Sequence, residues 1–268
     1  MTTRYERNGP PGRFWRAVEL RALAELATLP YALPALLKAP AGDGHPVLLL
    51  PGFMSSERPL FALKVYLRNR GYHVQTWGFG RNLGFQRKHA AALEQKLRFI
   101  HYKHGRKVSL VGWSLGGTFA MYAAHQAPEC VRSVITLGSP VSADAGGSNT
   151  APIVKALYRM VAHPLGTVAH ASQLRARRLR TAPPVPVSCL YSLGDGVVPP
   201  QEATIDGDSR LHENIRVPGS HLGLGFNPVV LWIVADRLSQ PEGGWRPFAP
   251  DGAAGRAYRL LTLSSGAA

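Results

Sequence analysis

"SLVGWSLGG", residues 109–117, decides how the rest of the chain is read. An apolar run ends there in Gly112-Trp113-Ser114-Leu115-Gly116, a G-x-S-x-G pentapeptide with Gly117 behind it. Upstream, "KVSLVGW" (107–113) predicts a strand apolar enough for the centre of a sheet, and downstream "LGGTFAMYAAHQAP" (115–128) predicts a helix. In that setting the small residues two before and two after the serine have a physical purpose. They allow a strained serine backbone to turn sharply, lift Oγ from the top of the sheet and let the next helix pack closely. The competing reading is a Gly-rich strand exit with a capping serine. The strand-turn-helix context favours a nucleophile.

A serine hydroxyl is a poor nucleophile at neutral pH, so Ser114 needs a histidine base and a carboxylate to orient it, both on loops at strand ends. In "YSLGDGVVPP" (191–200), Asp195 stands between two glycines directly after an apolar run. In "VPGSHLGLGF" (217–226), His221 follows the next strand and precedes a helix. Asp206 and Asp208 also precede His221, but they follow no strand-like run and read as turn residues. His212 falls ahead of the final strand, at the wrong end for the site, and the helix dipole accounts for His125. The negative charge of a tetrahedral intermediate also requires backbone N–H donors. Leu115 supplies one. "LLLPGFMSS" (48–56) supplies the other, with Gly52 allowing close approach and Phe53 presenting its amide, or Met54 if the turn is shifted by one.

From residue 45 onward, short apolar runs alternate with longer helical patterns, as in a parallel sheet built from βαβ units. Strands are expected at 45–50, 71–77, 107–113, 130–140, 185–196 and 214–221, and helices between them, the last over 222–240. Residues 141–184 are too long for a plain crossover and read as a small helical insertion, with Arg175, Arg177, Arg178 and Arg180 on a basic face. The chain therefore divides into an N-terminal amphipathic helix and linker (1–44), a catalytic domain (45–240) and a surface tail rich in Gly, Ala and Pro (241–268).

Near the N-terminus, Trp15, Val18, Ala22, Leu26 and Leu29 fall at helical spacing, which predicts an amphipathic helix from about Arg13 to Leu29. Glu19 sits beside that stripe as an imperfection, and Pro30 and Pro34 are expected to break any membrane-spanning helix. Packing of the stripe on the protein's own body is preferred to membrane docking, which stays open as a peripheral contact.

Hydrophobic residues make up 45% of the 268 and charged residues 18%, so a packed core is expected and disorder is not. The net charge of +15 suits anionic surfaces, but the basic residues are scattered and carry no nucleic-acid-binding signature. The two cysteines, Cys130 and Cys189, read as buried free thiols on neighbouring strands. The ten histidines mostly stand alone, where surface placement is the simpler account, and neither they nor the cysteines show metal-ligand spacing. No metal and no cofactor are expected.

These stretches together resemble the α/β-hydrolase superfamily, close in layout to compact bacterial lipases and esterases, over about residues 45–240. The resemblance implies an α/β-hydrolase fold, a mostly parallel central sheet flanked by helices. It further implies Ser114 as nucleophile, His221 as general base and then acid, and Asp195 as its acid partner. It implies as well that the amides of Phe53 and Leu115 form the oxyanion hole and that residues 141–184 form a lid or cap that helps set substrate choice. Many relatives carry His-Gly where this chain has Pro51-Gly52, which removes a side chain that braces the loop.

The expected activity is cofactor-free hydrolysis of a small-molecule or lipid carboxylic ester through an acyl-enzyme, in a cytoplasmic or membrane-peripheral protein. Phe53, Met54 and Trp113 around the mouth favour an apolar acyl group. Acyl transfer or thioester hydrolysis would use the same triad. A non-catalytic ligand-binding relative is the reading from another class, and it fits less well because all three triad members are present.

Overall fold

The computed structural model describes residues 18–84, 87–142, 182–205 and 210–263, together with 11, 14, 150 and 152. Most of the expected insertion at 141–184, including its four arginines, and both Asp206 and Asp208 lie outside the described residues.

Six strands form one parallel sheet: β1 (Pro46–Leu50), β2 (His73–Thr76), β3 (Val108–Trp113), β4 (Val131–Leu137), β5 (Val187–Tyr191) and β6 (His212–Arg216), in the order β2-β1-β3-β4-β5-β6. Every residue of β1 and β3 is buried, as expected of valine- and leucine-rich central strands covered on both faces. The two-residue period of β1 divides its side chains between two cores. Leu48 and Leu50 join Leu97 and Phe119 from the helices α3 (Arg87–His104) and α4 (Leu115–Gln126). Val47 and Leu49 join Leu63 and Leu67 of α2 (Phe61–Asn69), and Ile233 and Val234 of α5 (Pro228–Leu238). Burying each such side chain contributes about 1.5–3 kcal/mol before the entropy of ordering is counted.

The strand order reverses between β1 and β3, and ligands of open α/β sheets bind outside the carboxyl ends of the strands at such a switch point. Register aligns those ends: Leu50 pairs with Gly112, Trp113 with Leu137, Leu137 with Leu190, and Tyr191 with Arg216. Each turn singled out from sequence thus leaves the sheet on the same edge.

Three expectations need correction. The N-terminal helix does not stop at Leu29. After a 3-10 turn (Val18–Arg21), α1 runs from Ala22 to Leu37 straight through Pro30 and Pro34. Both prolines are exposed, so water can satisfy the carbonyls that lose their helical donors. The segment after Pro241 carries a further helix, α6 (Gly252–Leu263), whose Tyr258 hydroxyl donates to the Arg216 carbonyl at 2.8 Å while its ring meets Phe248 edge-on. Cys130 ends a 3-10 turn ahead of β4 and is not on the strand, although it and Cys189 are both free and buried.

Candidate active site

Ser114 has φ +53 and ψ −126, a conformation that L-residues rarely adopt and that costs about 1–3 kcal/mol unless its surroundings impose it. They do. Its amide donates to the Leu137 carbonyl at 2.9 Å, and its carbonyl accepts from the Gly117 amide at 3.0 Å. The glycines are sterically required. A Cβ on Gly112 would strike the backbone of Gly116 and Gly117, one on Gly116 the Leu50 carbonyl, and one on Gly117 the Ser139 side chain. The pentapeptide is therefore a turn that only this pattern of small residues fits, and it hands the chain to α4 with Leu115 as first residue, where a helix amide has no intrahelical acceptor.

Asp195 and His221, on the loops after β5 and β6, form a buried pair with Oδ2 and Nδ1 2.7 Å apart. The other carboxylate oxygen of Asp195 accepts from the Val197 and Val198 amides at 2.8 and 2.7 Å, which fixes its plane. Burial alone would lower the pKa of His221. The Asp195 charge and hydrogen bond, with Glu19 beyond, more than offset it and hold the imidazole above its ordinary value. Gly138, with φ +56 at the end of β4, leaves room for the pair: a Cβ there would lie 2.9 Å from Asp195 Oδ2 and 3.1 Å from His221 Nδ1.

The turn after β1 closes on Ser114, since a Cβ on Gly52 would lie 3.2 Å from that of Ser114. Met54 has φ +56, and its amide donates to the Asn82 carbonyl at 2.7 Å. That bond occupies the Met54 amide. Asn82 was not singled out from sequence. Fully buried, it donates from Nδ2 to the Pro51 carbonyl at 2.9 Å, and its amide donates to the Ser55 carbonyl at 3.0 Å. It thus braces the turn that Pro51 leaves without a histidine.

Trp113, expected at the mouth, is buried; its indole N–H donates to the His221 carbonyl at 3.0 Å and its ring lies tilted near the imidazole. Met54 is half-buried beside the site.

An Asp-His-Ser relay stands at the opposite end of the sheet. His45 Nδ1 lies 2.6 Å from Asp43, and its Nε2 lies 2.8 Å from Ser109 Oγ, which meets Ser133 Oγ at 3.0 Å. Both His45 and Ser109 are 0% exposed, so no substrate reaches the hydroxyl. Burial, aided by the Arg132 charge, pushes the His45 pKa down to about 4. The relay ties the starts of β1, β3 and β4 together, and His45 is a buried exception to the expectation that most histidines lie on the surface. Relay geometry alone does not mark a triad.

Residues 31–204 match the family described as alpha/beta hydrolase fold. The chain belongs to that family. Among solved structures, it is similar to lipase B of Aspergillus fumigatus (19% identity, TM-score 0.57), over 75% of this chain and 54% of that one, so it spans about half that protein's length. It is also similar to the mature form of a Bacillus licheniformis lipase (18%, TM-score 0.56, 75% and 95% covered). A third similar structure is the Paleococcus ferrophilus monoacylglycerol lipase (16%, TM-score 0.52, 74% and 96% covered). At such identities the likeness is one of fold. No curated protein matches the sequence.

Proposed function

We propose that the protein hydrolyses carboxylic esters through an acyl-enzyme on Ser114. The observation that carries this reading is the buried Asp195–His221 pair at the same sheet edge as the strained Ser114 turn. Ser114 Oγ attacks the ester carbonyl carbon while His221 takes its proton at Nε2, with Asp195 holding Nδ1–H and stabilising the imidazolium. The oxyanion is met by the Leu115 and Phe53 amides, the second held in place through Asn82. His221 returns the proton to the departing alcohol, and water activated by the same imidazole then releases the acid. Met54 beside the site favours an apolar acyl group. The test is fluorophosphonate labelling: wild type is expected to react and Ser114→Ala not to. Equal labelling of both proteins overturns the nucleophile assignment.

A peripheral lipid contact is proposed on a separate observation. Leu20, Leu23, Tyr31 and Leu37 on and just before α1 are 75%, 72%, 87% and 58% exposed. Glu19–Leu37 is long and apolar enough by length and composition to cross a membrane. Its carboxylates, however, are bound to the domain, which suits a helix lying in the interface with Leu20, Leu23, Tyr31 and Leu37 outward. With a net charge of +15, the matching surface is anionic lipid. Co-sedimentation with phosphatidylserine vesicles is expected for wild type and is expected to fall in Leu23→Glu. Unchanged binding would count against the helix as the contact.

A further inference from the structure

No step of the ester chemistry uses the segment before β1, yet that segment grips both loops of the acid–base pair. Glu19 is buried, and its carboxylate accepts three backbone N–H groups. Oε1 receives those of Gly196 at 2.7 Å and His221 at 3.0 Å, and Oε2 that of Leu222 at 3.0 Å. Gly196 directly follows Asp195, so one side chain spans the loop of the acid and the loop of the base. Arg21 donates to the Gly194 carbonyl at 2.9 Å, on the other side of Asp195, and pairs with Glu25 at 3.5 Å. Glu25 in turn accepts from the Ser220 amide at 2.7 Å and from Asn227 Nδ2 at 3.1 Å.

The two loops are shaped to receive these side chains. A Cβ on Gly219 would sit 2.8 Å from Glu25 Oε2, one on Gly223 would collide with that same oxygen, and one on Gly194 with the Arg21 guanidinium. Without Glu19, the Gly196, His221 and Leu222 amides would be left at the head of a 3-10 turn and in a buried bend with no backbone acceptor. A tether needed only to keep the helix attached could sit anywhere on the domain. This one lands on the residues flanking Asp195 and on His221 itself.

We propose that Glu19 is a positioning residue for the triad, holding the backbone of His221 in register with Asp195 by accepting the amides of Gly196, His221 and Leu222. The proposal rests on the ester-hydrolase reading of the site. Its carboxylate does not touch the reacting atoms. It acts through the main chain, setting where the imidazole stands against Asp195, and the Arg21–Glu25 pair keeps the same two loops from parting.

The test uses the full chain with Glu19→Gln and Glu19→Ala, read by hydrogen exchange over the Asp195 and His221 loops and by steady-state hydrolysis of p-nitrophenyl butyrate. Glu19→Ala is expected to speed exchange at both loops and lower kcat by about 10- to 100-fold, as small misplacements of catalytic groups do. KM is expected to stay within about twofold. Glu19→Gln should fall between Glu19→Ala and wild type, because its carbonyl oxygen keeps two of the three amides while its NH2 opposes the Leu222 N–H. Should Glu19→Ala not fold, Glu19→Gln decides. Wild-type exchange in the variants, or faster exchange with unchanged kcat, overturns the proposal. A wild-type protein that neither hydrolyses the ester nor takes a fluorophosphonate sinks the hydrolase reading instead, and exchange alone then decides whether Glu19 holds the loops.

Discussion

The indole N–H of Trp113 donates to the main-chain carbonyl of His221 at 3.0 Å, joining residues 108 positions apart. The residue immediately before the proposed nucleophile therefore holds the backbone of the proposed base. Trp113→Phe keeps most of the packing and loses this bond. It is expected to lower kcat of p-nitrophenyl ester hydrolysis by about 3- to 10-fold, in line with roughly 1 kcal/mol for a buried hydrogen bond. Unchanged kcat in a correctly folded variant would leave Trp113 a core residue only.

Asn82 braces the oxyanion turn with its side chain on Pro51 and its carbonyl on the Met54 amide. Asn82→Ala removes the first and leaves the Pro51 carbonyl without its donor. Acyl-enzyme formation, followed by pre-steady-state release of p-nitrophenol, should slow by about 10-fold or more, short of the 10²–10³-fold that follows loss of an oxyanion donor itself. A variant as fast as wild type would show that the turn holds without Asn82.

The pH profile has a definite sign. Catalysis needs neutral His221 as base, and its pKa is raised above 6.5; burial opposes this, but Asp195 and then Glu19 outweigh it. The acid limb of kcat/KM is expected to turn over above 6.5, with activity lost as pH falls through that midpoint. Removing the Glu19 charge in Glu19→Gln should move the midpoint down. Titration of kcat/KM over about pH 5 to 9 checks both. A wild-type midpoint below 6.5 would contradict the assignment.

The Asp43–His45–Ser109 relay predicts a stability effect of different form. His45 titrates near 6.5 unfolded and about 4 folded, so below 6.5 the unfolded chain binds a proton that the folded one refuses. Its contribution is present above 6.5 and is lost as pH falls toward 4. The urea midpoint of the wild type should fall across that window, and His45→Gln should flatten the slope while leaving fluorophosphonate labelling at neutral pH intact. A slope unchanged by the substitution would show that other groups carry it.

What could be read from sequence was what is local or steric. The Ser114 turn announces itself because the glycines it needs are its neighbours in the chain, and β1 and β3 because a strand covered on both faces must be apolar throughout. Asp195 and His221 stood out as polar residues at the ends of apolar runs. Glu19 did not. Its partners are backbone amides, which leave no mark in a sequence, and a carboxylate beside an apolar stripe looks like an interruption of it. Asn82 was hidden for the same reason, because its partners are mostly main-chain groups. His45 was missed because a buried imidazole is recognisable only through Asp43 and Ser109, and Ser109 is 64 residues away. The prolines of α1 misled because their usual cost assumes carbonyls without water, whereas this helix keeps both at its exposed side.

The glycines on either side of Asp195 and His221 have a consequence for how the chain comes to be active. Glu19 and His221 are separated by 202 residues, whereas β1, β3, β4 and β5 can each find a partner as soon as the next has been made. Closing so long a loop adds little free energy beyond that of a shorter one, since the entropy grows only with the logarithm of length. It does fix an order of events: the segment before β1 must wait for nearly all of the sheet before its carboxylate meets the amides it was shaped for. A nascent chain with its sheet assembled and Ser114 in place still lacks the contact that aligns its base. On the proposed reading, alignment of the base is withheld until synthesis has passed His221.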